Sequence, residues 1–99
     1  MLYYDMEMEK TVMYIVREKK KIAKLLRKLP PEVQSLYRAL LLDLRESGPE
    51  QPSWMNYSKL GGNRYHCHLN YHYVACWTYE NEILTVEVYY VGSRENAPY

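Results

Sequence analysis

The sequence predicts an α+β fold: an N-terminal strand, a two-helix hairpin, then a mainly antiparallel sheet with the helices packed on one face, in the order β-α-α-β-β-β-β. Three observations carry this. Residues 18 to 44 hold two apolar stripes at helical spacing, divided by Pro30-Pro31. A β-branched and aromatic run, Thr11-Val12-Met13-Tyr14-Ile15-Val16, precedes them. Everything after Gly48-Pro49 falls into short runs rich in Tyr, Val, Thr and Trp, separated by turn residues.

Residues 1 to 10 are acidic and Met-rich without a clear period, and read as a flexible arm or a loose edge strand. The first strand spans residues 11 to 16. Glu18 to Leu29 follows as a helix, with Ile22, Leu25, Leu26 and Leu29 on one face. Pro30-Pro31 ends it and starts the next helix, because proline suits the first helical position and no interior one. Val33, Leu36, Tyr37, Leu40, Leu41 and Leu44 form the second stripe, and Gly48-Pro49 stops it. A short connection makes the two helices an antiparallel hairpin. Trp54 to Lys59 reads as a strand ending at the Leu60-Gly61-Gly62-Asn63 turn. Arg64 to Asn70, Tyr73 to Tyr79 and Ile83 to Val91 complete the sheet, the last two joined at Glu80-Asn81-Glu82.

The 99 residues make one domain, 1–99. No apolar run approaches the roughly 18 residues needed to span a membrane. The acidic N-terminus carries no signal-peptide pattern, so a cytoplasmic protein with free thiols at Cys67 and Cys76 is expected. The net charge is only +1, which argues against a strong electrostatic grip on nucleic acid. Seven Lys/Arg against one Glu sit between Arg17 and Lys28, the solvated face of the first helix or a contact for an acidic partner. Twelve Tyr and two Trp stand beside no Phe. Such rings suit stacking on bases or on a protein partner, and are equally read as a compositional habit of the lineage.

Alternation assigns faces on paper. With hairpin turns near Tyr71-His72 and Asn81, one face gathers Tyr65, Cys67, Leu69, Val74, Cys76, Leu84, Val86, Val88 and Tyr90, and should meet the helices. The other gathers Arg64, His66, His68, Asn70, Tyr73, Trp77, Thr85, Glu87 and Tyr89, and should be open. His68, Ala75 and Glu87 then share a rung, as do His66, Trp77 and Thr85. Cys67 and Cys76 face each other across strands, close enough for a disulfide, though the expected compartment favours buried thiols. A one-residue slip in either turn would mix the two sets.

The open face carries the residue types of metal-free RNA cleavage. That reaction needs a base for the 2′-hydroxyl, an acid for the leaving 5′-oxygen and cations for the phosphorane. Histidine can fill either proton role near neutral pH. Arginine stays charged and binds phosphate through two donors. His66-Cys67-His68 is no metal cluster, since Cys67 points away and two ligands fall short of a structural zinc site. No metal or other cofactor is expected. The same residues could also be plain polar members of a solvated sheet face.

The helical hairpin, the Lys59-Leu60-Gly61-Gly62 turn before a polar strand, and the tail Val91-Gly92-Ser93-Arg94 with Tyr99 beyond it together resemble the RelE/ParE toxin superfamily, in particular its HigB-like and RelE-like mRNA interferases. The resemblance covers residues 11 to 99. It implies a toxin of a bacterial type II toxin–antitoxin system: a metal-independent endoribonuclease cleaving mRNA at the ribosome, inhibited by a cognate antitoxin, often a helix-turn-helix protein. By position it implies site roles for His66, His68, Arg94 and Tyr99. Members often carry an arginine where this chain has Tyr73-Val74. The expected roles are His68 or Glu87 as base, His66 or Tyr99 as acid, Arg64 and Arg94 as phosphate clamps, and Lys59, Tyr73, Trp77 and Tyr89 as further RNA contacts. ParE-like relatives instead inhibit DNA gyrase, and a degenerate member would only bind its antitoxin.

Overall fold

Five strands and two helices make up the described chain, residues 13 to 99 of a computed structural model. Thr11, Val12 and the arm at 1 to 10 lie outside the described residues. The elements are β1 (Ile15–Glu18), α1 (Lys21–Arg27), α2 (Pro31–Ser47), β2 (Ser58–Gly61), β3 (Arg64–His68), β4 (Tyr73–Glu80) and β5 (Thr85–Ser93). Short 3-10 turns cover Asn81–Ile83 and Arg94–Asn96. The sheet order is β1-β5-β4-β3-β2. β1 runs parallel to β5, and every other neighbouring pair is antiparallel. The expected α+β architecture is present, with two helices on one face of a five-stranded mixed sheet.

Glu18 belongs to β1 rather than to the first helix. Its carboxylate accepts the Tyr37 hydroxyl at 2.6 Å, and Lys19 donates its backbone N–H to Val88 at 2.9 Å. Both bonds hold the chain extended there. The helical hairpin is sealed by Gln34, whose amide nitrogen donates to the carbonyls of Leu26 and Leu29 at 2.9 and 3.0 Å. The Leu26 carbonyl also takes the Leu29 N–H at 3.0 Å, so the Gln34 amide ties the second helix to the end of the first and to the residue that follows it. Both apolar stripes face the sheet: Ile22, Leu29, Val33, Tyr37, Leu40 and Leu44 are buried.

Trp54 to Tyr57 form turns instead of a strand. Trp54 donates its backbone N–H to Gln51, Tyr57 donates to Trp54, and the Trp54 indole N–H reaches Asp43 Oδ2 at 2.8 Å. Pairing with β3 therefore begins at Ser58.

The registers of both hairpins differ from expectation. In β3–β4, His68 lies opposite Val74, Cys67 opposite Ala75, His66 opposite Cys76 and Tyr65 opposite Trp77. The loop holds three residues, because Asn70 Oδ1 accepts the backbone N–H of His72 at 2.8 Å and of Tyr73 at 3.0 Å. An asparagine bonding two residues ahead fixes this turn. The one-residue change turns β4 over. Trp77 is fully buried against the helices. Its indole N–H donates to the Pro49 carbonyl at 3.0 Å, and its ring forms a near-parallel trio with those of Tyr65 and Tyr57, whose centroids lie 6.2 and 6.4 Å from it.

Cys76, by contrast, shares the His66 face while Cys67 stays in the helix-side core. The two thiols point to opposite sides of the sheet, which rules out the disulfide. A β-bulge between Cys76 and Trp77 changes β5 as well: Trp77 pairs with Val88 but Cys76 with Tyr90. Tyr89 is the extra residue. Val86, Val88 and Val91 therefore all reach the core.

Two expected outcomes follow from this packing. Gly48 has φ 85° and ψ −160°, a combination held almost only by glycine. A Cβ there would also lie 2.6 Å from Tyr14 Cζ. Gly48→Ala should cost about 2 kcal/mol or more in urea-unfolding stability. Burial pushes the Cys67 thiol up to about 12 and the Cys76 thiol up to about 11. Neither should react with a thiol reagent at pH 8 in the folded protein, and both should react after denaturation.

Candidate functional site

β3 places His66 and His68 side by side on the face away from the helices, their ring centroids 5.7 Å apart. Two residues along a strand return to the same face, so the pairing of imidazoles is a direct product of the His-Cys-His spacing. The face is less open than expected, with both histidines only 8% exposed. The Tyr99 ring lies against His66, centroid to centroid 4.6 Å. On the other side of His66, its Nδ1 shares a hydrogen bond of 3.1 Å with the Ser58 hydroxyl from β2.

Arg94 follows β5 and is anchored by its backbone N–H, which donates to the His72 carbonyl at 2.9 Å. Its guanidinium sits over the Tyr71 ring at 4.8 Å and close enough to His68 to disfavour that ring's protonated form. His66, His68, Arg94 and Tyr99 are thus brought together.

Burial and neighbouring charge shift three of these groups. His66 is held below the usual histidine range, mainly by burial. His68 is lowered by burial and then by the Arg94 charge. Both imidazoles are neutral at pH 7 and able to accept a proton. Burial pushes the Tyr99 phenol up, so it keeps its proton to donate. The cluster therefore holds two bases, one weak acid and one permanent cation, the set required for moving a proton between oxygens beside a phosphate.

The remaining expected residues divide. Arg64 shares the His66 face by alternation, next to Tyr89, whose phenol its charge acts on. Tyr89, the bulge residue, reaches Cys76 on this same face, and its hydroxyl is buried. Glu87 is not on the His68 rung. It pairs with Thr78 and Arg17, two strands from β3 and roughly 15 Å along the sheet from His68. Its carboxylate meets Lys19 Nζ at 3.5 Å instead. Lys59 pairs with Tyr65 and lies over that ring at 5.7 Å, on the helix side. Trp77 is core, and Tyr73 packs partly against the core. Glu87, Lys59 and Trp77 thus stand apart from the histidine cluster.

Among the described residues, no group of three or more His, Cys, Asp or Glu side chains is placed to hold a metal ion. No helix among them is long and apolar enough to cross a membrane.

No protein-family model matches the sequence, and no curated protein matches it by sequence. Solved structures do match. The archaeal RelE of the RelE–RelB complex from Pyrococcus horikoshii OT3 superposes with TM-score 0.69 at 16% identity, covering 85% of this chain and 98% of that one. The isolated E. coli RelE toxin gives 0.67 at 24% identity, covering 86% and 88%. A metal-bound toxin from Helicobacter pylori gives 0.65 at 19% identity, covering 84% and 97%.

The chain has the RelE fold.

On this fold the histidine cluster lies at the end of the sheet where β3 and the tail after β5 meet. Two contributors went unread in the sequence. Ser58 was hidden inside a strand whose pairing starts later than its composition suggests. Tyr71 sits in a loop, and only the β3–β4 register brings it under Arg94.

The protonation states can be checked directly. In a proton NMR titration, the His66 and His68 ring signals should move at a midpoint below 6.5, the usual histidine value. His72 serves as the third signal in the same spectrum. Replacing Arg94 by Ala should raise the His68 midpoint, since a neighbouring positive charge is removed. An unchanged midpoint would place Arg94 too far away to act on His68.

Proposed function

We propose that the chain is a toxin of a bacterial type II toxin–antitoxin system, an endoribonuclease that cleaves mRNA at the ribosome without a metal ion. The carrying observation is the convergence of His66, His68, Arg94 and Tyr99 on one face of a RelE fold. The RelE proteins of Pyrococcus horikoshii and E. coli were both solved with RelB antitoxins. That supports a cognate antitoxin as this chain's partner, a helix-turn-helix protein being the form the sequence resemblance suggests.

In the proposed reaction His68, neutral at pH 7, takes the 2′-hydroxyl proton. The resulting oxygen attacks phosphorus and forms the 2′,3′-cyclic phosphate. Arg94 stabilises the charge gathering on the non-bridging oxygens. The 5′-oxygen leaves with a proton from Tyr99, the group on this face that still holds one at neutral pH. His66 orients Tyr99 through ring contact and is itself fixed by Ser58. Glu87 is too distant to be the base, and Arg64 extends the phosphate contacts along β3.

A second reading has its own support. The near-complete cover of both histidines suits a member that keeps the fold and binds an antitoxin without cleaving RNA. A gyrase inhibitor on the same fold would also not need the cluster. Growth and transcripts separate the three. Expression of the chain should stop growth and fragment mRNA. Arg94→Ala and His66→Ala/His68→Ala should each lower cleavage by about 100-fold or more, with intact folding by circular dichroism. Arrested growth with intact transcripts and damaged DNA would favour the gyrase reading, and no effect on either would favour the antitoxin-only reading.

The pH profile tests the base. Cleavage needs neutral His68, so activity should fall as pH drops through a value below 6.5 and stay level from there to neutral pH. An acid limb centred above 6.5 would assign the base to another group.

A further inference from the structure

Beside Arg94 lies a cavity of about 310 Å³ lined by His72, Tyr73, Ser93, Arg94 and Glu95. None of its residues except Arg94 takes part in the proposed cleavage. Two aromatic rings supply flat faces, a guanidinium and a hydroxyl supply donors, and a carboxylate supplies an acceptor. The volume admits one planar heterocycle. The walls are held in place: Arg94 by its backbone bond to the His72 carbonyl at 2.9 Å, and the His72 loop by two hydrogen bonds to Asn70. Tyr71 further fixes the guanidinium from 4.8 Å, and its ring meets that of His72 edge-on at 5.1 Å.

We infer that this cavity is a subsite for one nucleobase of the RNA, flanking the phosphate held by His68 and Arg94. This rests on the ribonuclease reading and extends it to a group the cleavage chemistry does not require. The base would stack on His72 or Tyr73, which any base can do. Its edge would meet both a donor in Arg94 or Ser93 and an acceptor in Glu95. Sharing Arg94 between phosphate and base subsites ties the two, so that seating a base orients the reacting phosphate.

The test uses the ¹⁵N-labelled full chain titrated with inorganic phosphate, adenosine, and adenosine 3′-monophosphate. Phosphate should shift the amides of His68 and Arg94. Adenosine 3′-monophosphate should shift these and also those of His72, Tyr73 and Glu95, and bind more tightly than phosphate. His72→Ala and Glu95→Gln, both at exposed positions, should each weaken nucleotide binding by about 10-fold while leaving phosphate binding unchanged. If the nucleotide shifts the same amides as phosphate and no others, the base subsite is wrong while the phosphate site stands. If neither ligand shifts His68 or Arg94, the ribonuclease reading fails together with the subsite.

Discussion

The bulge in β5 decides what this sheet can do. Up to Val88 the strand alternates regularly, with Val86 and Val88 buried against the helices. Continued alternation would send Tyr90 to the helices and Val91 outward. Inserting Tyr89 opposite the Cys76–Trp77 step reverses that parity. Val91 goes to the core, and Tyr90 and Gly92 turn to the histidine face. Bulges commonly re-aim side chains in this way. The direction in which the chain leaves β5, and so the position of Arg94 over the loop beside His68, depends on that single extra residue. Gly92 permits the crowding that results, since a Cβ there would stand 2.7 Å from the Tyr90 hydroxyl.

β4 is the other side of the same constraint. Val74, Ala75, Cys76 and Trp77 are all fully buried, although they alternate between faces. A strand covered on both sides needs apolar residues at every position. The helices cover one side. On the other, β5 and the tail bring tyrosines over the sheet beside the histidines. The absence of phenylalanine then has a structural meaning. Tyr37 donates to Glu18, Tyr90 to the Ser93 carbonyl at 2.7 Å, and Tyr79 to Asn81. The Tyr37 hydroxyl ties α2 to β1, while those of Tyr79 and Tyr90 bond within three residues of their own position.

The legible parts of the fold were those with a strong period or a hard stop. The α2 stripe from Val33 to Leu44, Pro31 at its start and Gly48 at its end could be read directly. The order of elements could also be read, and so could the pairing of His66 with His68, because alternation within one strand needs no partner; Arg94 and Tyr99 were reached through the resemblance of the tail. Relations between strands could not. The run Tyr73 to Trp77 is apolar throughout and does not say which residues face the helices, so turn chemistry had to decide. Asn70 does decide it, through bonds to His72 and Tyr73 that make the loop three residues long. A two-residue turn puts Trp77 on the wrong face and pairs the cysteines; Glu87 leaves the His68 rung mainly through the β4–β5 register, where it lies opposite Thr78 rather than Ala75. Glu18 was similarly ambiguous: its helix-forming preference is weak beside a bond to the buried Tyr37.

The chemistry of the cluster comes at a cost in charge. A face that binds RNA through phosphates would place cations where β3 carries histidines. Burial lowers both imidazoles and the Arg94 charge lowers His68 further, which favours the neutral form that the proposed proton transfer needs and weakens any hold on phosphate. Among the described residues, Arg64 and Arg94 are then the cations nearest the histidines, and in the proposed reading few phosphate contacts mean a weak, weakly salt-dependent electrostatic term. Affinity for RNA would then come from stacking or from a larger surface that presents it. Of these, stacking is local to the chain: the hollow at His72 and Tyr73 adjoins Arg94, whose charge also acts on His68. The proposed binding and chemistry meet at Arg94, whose position rests on the bulge at Tyr89, its backbone bond to His72 and the ring of Tyr71.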